Sequence, residues 1–153
     1  MKLAEALMVR SDLQKRLYSL QSRLNKNVLV QEGDEPNENP AQLLAEIFAT
    51  QESLHELIIK IHKTNASVVF DDGRDLLSVL SQRDTLMAKH KTISTMLEHT
   101  SKEPDRYSYR EIKWQTTIDV EGYQRQADDI ALELRQLNID IQAKNWAVEL
   151  LEQ

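Results

Sequence analysis

The sequence predicts a mainly α fold: four long antiparallel helices, in a helical bundle with coiled-coil-like spacing, and a small β-ribbon, all within one domain over residues 1–153. Three observations carry this. Glycine and proline number only 3 each, too few for the turns of an all-β chain. Apolar residues recur every three or four positions through four separate stretches, the mark of helices with one buried face. One further stretch, IKWQTTIDV, alternates apolar and polar residues with the period of a strand.

The first helix is expected over about residues 2–27. Leu3, Ala6, Leu13, Leu17, Leu20 and Leu24 fall on one stripe at heptad spacing, and Arg10 fills an interrupted slot. The pattern then breaks. Val28 to Gln31 reads as a short extended run, and Gly33, Pro36 and Pro40 mark a loop. Asn39 suits the cap of a second helix, about residues 40–64, with Pro40 at its first position. Its predicted stripe is Leu44, Ile47, Leu54, Ile58 and Ile61.

Val68, Val69 and Phe70 favour extended backbone, and Asp71-Asp72-Gly73 is a turn signal. Asp72 or its neighbour suits the cap of a third helix, about residues 74–99. This helix places Leu76, Val79, Leu86, Ile93 and Leu97 on its stripe and sets Arg83 and His90 in two slots of it. A strand is expected over 112–120, with Ile112, Trp114, Thr116, Ile118 and Val120 on one face. Its expected partner is 28–31, and 68–70 is a further candidate. The last helix, about residues 121–151, carries Tyr123, Ala127, Ile130, Leu134, Leu137, Ile141, Val148 and Leu151, interrupted by Lys144.

Composition excludes several functions. The absence of cysteine removes disulfides and thiolate metal sites. A net charge of -6 gives no general attraction to phosphate or anionic lipid. The segment RYSYREIKW mixes bases with aromatics, as single-strand binding sites do, but it is short and the chain is acidic, so no nucleic acid is expected. The longest aliphatic cluster, LIIKI, is far below the ~20 apolar residues that span a membrane. With no signal-peptide pattern, a cytoplasmic location is expected. There is no Gly-x-Ser-x-Gly, no glycine-rich phosphate loop and no triad spacing, so no catalytic residue is assigned.

The polar residues inside the apolar stripes are more informative. Arg10, Arg83 and Lys144 are read as assembly-specifying core residues, because buried ion pairs add little net stability but fix register and partner choice. Second apolar stripes remain: Leu132, Ile139 and Trp146 on the last helix, Met8 and Val9 on the first. Leftover apolar surface of this kind predicts a homo-oligomer. The loop acids Glu32, Asp34 and Glu35 and the bases Arg106 and Arg110, near Trp114, are interface candidates that would match across a subunit boundary.

The alternative is a metal-binding bundle. Glu52, His55 and His62 share a side stripe of the second helix, and His90 on the third is the candidate fourth ligand. Glu52-x-x-His55 has the spacing of carboxylate-bridged di-metal bundles, but such a bundle needs the motif twice, and it occurs once. No cofactor is predicted; a divalent metal is the alternative.

The blocks MKLAEALMVRSDLQKRL, VQEGDEP, LSQRDTL and QADDIALELRQLNIDIQAKNWAVEL resemble the small bacterial proteins labelled septicolysin. The resemblance spans nearly the whole chain. It implies a mainly helical, oligomeric, cytoplasmic protein of unassigned role, and the family's label implies a haemolysin-like, pore-forming activity. The residues themselves point instead to an oligomeric interaction or structural protein.

Overall fold

The computed structural model of the protein describes residues 1–101 and 113–152. Among the described residues four helices follow one another: α1 Leu3–Asn27, α2 Pro40–Ser67, α3 Leu76–Glu98 and α4 Val120–Ala147. The chain divides into two compact units, Met1–Leu76 with Gln142–Gln153, and Leu77–Ile141.

In the first unit α1 and α2 run antiparallel. Arg16 meets Glu46 at 3.8 Å, and Arg23 further along α1 meets Glu38 ahead of α2. The buried side of α1 steps through Leu3, Ala6, Leu20 and Asn27, with Arg10, Leu13, Leu17 and Leu24 half-buried between them. This is the stripe expected from sequence, Arg10 included. On α2 the seam is Leu43, Ile47, Thr50, Leu57, Ile61 and Thr64. The sequence expectation errs by one position in two places: Leu43 is 3% exposed and Leu44 41%, and Leu57 is buried where the expected stripe has the half-buried Ile58. Two threonines conceal the seam. Each satisfies its hydroxyl on its own helix, Thr50 on the Glu46 carbonyl and Thr64 on that of Lys60, both at 2.7 Å, and so packs as a β-branched core residue.

Local chemistry sets the helix starts. Asn39 Oδ1 accepts the Ala41 N–H at 2.9 Å, and Pro40 occupies the first position of α2. Asp119 Oδ1 accepts the Gly122 N–H at 3.0 Å and starts α4. Between α1 and α2, Asn27 Nδ2 donates to the Arg23 carbonyl at 2.9 Å, and its Oδ1 accepts the Glu38 N–H at 3.0 Å, closing the loop. Gly33 and Gly73 take φ of 91° and 87°, a region that favours glycine. At the second of these turns Asp72 binds Arg74 through backbone and side chain, so it serves the turn, and α3 begins only at Leu76.

The β-ribbon is not formed among the described residues. Only isolated bridges occur, Lys2 with Glu149 and Val69 with Asp75. Residues 28–31 are irregular, with Val28, Leu29 and Val30 exposed. Residues 113–119 form no strand, and Val120 already belongs to α4; Ile112 lies outside the described residues. Alternating β-branched residues stabilise a strand only through cross-strand partners, and these segments have none among the described residues.

The chain end departs from expectation too. α4 stops at Ala147, and the tail runs extended against the start of α1: Leu3 N–H to the Val148 carbonyl and Leu150 N–H to the Met1 carbonyl, both 2.9 Å. The two-residue period buries Leu150 in place of Leu151.

In the second unit Val79, Leu86 and Ile93 of α3 and Ala127, Leu137 and Ile141 of α4 are buried. Gln82 Nε2 donates to Glu133 at 3.4 Å. The predicted stripe of α3 holds, with Arg83 and His90 half-buried in the slots assigned to them, and that of α4 holds from Ala127 to Ile141, whereas Tyr123 and Leu151 at its two ends are exposed.

Candidate functional site

Each polar break in a stripe has its own environment. Arg10 lies on the core side of α1, and its Nε is sealed from solvent with no hydrogen-bond partner among the described residues. Arg83 turns to the adjacent Asp84, at 2.9 Å, rather than to another helix. His90 Nδ1 lies 3.5 Å from the Ser94 hydroxyl one turn on. Lys144 places Nζ over the Phe70 ring, 5.4 Å from its centroid, a cation–π contact inside the first unit. The sequence reading misses Asn27, Thr50, Thr64 and Asn145, the buried polar residues. Their three–four spacing within otherwise apolar stripes is the available signal.

The proposed ligand set does not gather. Glu52, His55 and His62 are exposed on α2, and among the described residues no three His, Asp or Glu side chains group so as to hold a metal ion. Of the interface candidates, Glu32, Asp34 and Glu35 are exposed, without a side-chain ion pair among the described residues. Trp114 is largely exposed, and Arg106 and Arg110 lie outside the described residues. A cleft of about 330 Å³ in the second unit is lined by Met96, His99, Thr100 and residues 114–118. His99 Nδ1 sits 2.8 Å from the Thr95 carbonyl, which can only accept, so Nδ1 carries the proton there.

The clearest electrostatics hold the fold. The Lys2 ammonium, 2.7 Å away, and then the N-terminal ammonium, 3.2 Å away, hold the Glu149 carboxyl below its usual range. Arg23 does the same for Glu38, donating from Nε to both carboxylate oxygens at 3.1 and 3.0 Å. Arg74 does so for Asp72.

One face of α2 stands apart. Ala41, Ala45, Phe48, Glu52, His55, Ile59, His62 and Ala66 step by four and three along a single stripe, and all are exposed. The opposite seam of the same helix is packed against α1. A helix with two such stripes has one more face than its own unit uses.

The sequence profile of a family of unknown function (DUF6847) matches residues 10–150. The chain belongs to that family. No curated protein matches it. A crystal structure of a functionally unknown conserved protein from Corynebacterium diphtheriae is similar over 99% of both chains, at 39% identity and a TM-score of 0.90. Membership in the DUF6847 family replaces the septicolysin resemblance, and the pore-forming expectation goes with it. The blocks behind that resemblance are mostly heptad-patterned helix and an acidic glycine–proline loop, features that recur wherever such helices are joined. Among the described residues no helix is long and apolar enough to cross a membrane.

Proposed function

We propose that the protein is a self-associating helical interaction or structural protein. The observation that carries this is the second set of apolar side chains on helices whose first set is already buried. Met8 and Val9 on α1, Leu44, Phe48 and Ile59 on α2, and Leu132, Ile139 and Trp146 on α4 are all exposed. Exposed apolar surface gains about 25 cal/mol for every Å² removed from water, and a second copy of the chain is a partner always at hand.

Arg10, Arg83 and Lys144 then act as specificity elements, since a polar group in an apolar seam disfavours packings that leave it unpaired. The acidic loop extends the reading. Glu32, Asp34 and Glu35 lack cationic partners among the described residues, and Arg106 and Arg110 near Trp114 carry the matching charge. Light scattering on the purified chain tests self-association. Charge reversal at Arg106 and Arg110 tests the loop: a later elution volume on a sizing column supports its role, and an unchanged volume rejects it.

A further inference from the structure

We propose that the outer stripe of α2 is the self-association face and that its occupant is α2 of a second copy, running antiparallel about a two-fold axis. The proposal rests on the self-association reading and names its surface. A two-fold crossing α2 between Ser53 and Leu54 sets Glu52 against His55 of the second copy, Phe48 against Ile59, Ala45 against His62, and Ala41 against Ala66. Every residue of the stripe finds a compatible opposite, and the pairing is isologous, as a closed dimer requires.

The chemistry selects this arrangement. Glu52, His55 and His62 have no hydrogen-bond or ion-pair partner among the described residues, although they lie on a stripe with Phe48 and Ile59. In the antiparallel register each Glu52 carboxylate meets an imidazole that can donate to it, once on either side of the axis. A parallel pairing in register would instead oppose Glu52 to Glu52, a like-charge contact. The small residues Ala41, Ala45 and Ala66 lie towards the two ends of the stripe, where they let helix backbones approach. Leu44, exposed on one flank, widens the apolar strip. The lone Glu-x-x-His motif thus acquires a use that needs no metal: the second copy supplies the complementary half.

Cysteine chemistry tests this directly, because the chain has no cysteine of its own. The residues altered are exposed, so the fold should be kept, and a circular dichroism spectrum of each variant checks this. An A45C/H62C variant should form an interchain disulfide under mild oxidation, whereas A45C alone should not; within one chain these positions are about 25 Å apart along the helix and cannot bridge. H55E should weaken the dimer at least about tenfold by opposing two carboxylates, and E52H/H55E, which exchanges the pair, should restore it. A dimer that gives no A45C/H62C bridge, or that bridges through A45C alone, overturns this face and leaves self-association standing. A chain that sediments as a monomer overturns both.

Discussion

The backbone N–H of Leu151 donates to the buried hydroxyl of Thr64 at 3.0 Å, and that hydroxyl donates in turn to the Lys60 carbonyl at 2.7 Å. One side chain thus ties the extended tail to the last turn of α2. Thr64→Val keeps the shape but leaves the Leu151 N–H without an acceptor. The expected cost is about 1–2 kcal/mol, a fall in Tm of roughly 2–8 °C. Thr64→Ser should lose much less, and equal melting of the two variants would show that the hydroxyl is not the tie.

The register of α2 makes a sharper contrast. Leu43 is buried beside Leu20 and Ile47, whereas its neighbour Leu44 is exposed. Leu43→Ala should cost about 2–4 kcal/mol in urea unfolding, and Leu44→Ala below about 1 kcal/mol. Reversed values would restore the register read from the sequence.

That one-position error shows what the sequence can and cannot reveal. All four helices are legible, because apolar residues with three–four spacing outnumber every competing pattern in those stretches. Arg10, Arg83 and His90 fall in their slots for the same reason. The α2 seam is misread because Thr50 and Thr64 look polar by name, and only their hydroxyl bonds to Glu46 and Lys60 reveal them as core. The β-ribbon is misread because alternation states a preference that needs a partner strand. The Leu151–Thr64 contact joins residues 87 positions apart, a pairing that no local pattern encodes. The outer α2 stripe is half visible: the sequence places Glu52, His55 and His62 on one side of the helix, as candidate ligands, and only the burial pattern shows the whole stripe from Ala41 to Ala66 exposed.

Acid should weaken the clasp between the chain ends. Glu149 is held below its ordinary value of 4.5 by Lys2 and the N-terminal ammonium, so its contribution is complete above that value and disappears as pH falls through the lowered folded-state value. Glu149→Gln should therefore melt below the wild type at neutral pH, with the gap closing in strong acid. The carboxylate is exposed, so the gap should also narrow in high salt. A gap independent of pH would assign the effect to packing instead.

Arg10 should trade stability for specificity. Its Nε is sealed without a partner among the described residues, so Arg10→Leu removes an unsatisfied donor from an apolar stripe. Equal or higher stability in urea, by up to about 1 kcal/mol, is expected together with a broader distribution of assembly sizes in sedimentation velocity. A large loss of stability would show that the guanidinium is satisfied in solution.

Sedimentation equilibrium of the intact chain at micromolar concentration tests the central claim most directly. Self-association through α2 predicts a mass of at least twice 17.7 kDa, falling towards 17.7 kDa in H55E and recovering in E52H/H55E. A folded wild-type chain that holds at 17.7 kDa across that range would contradict it.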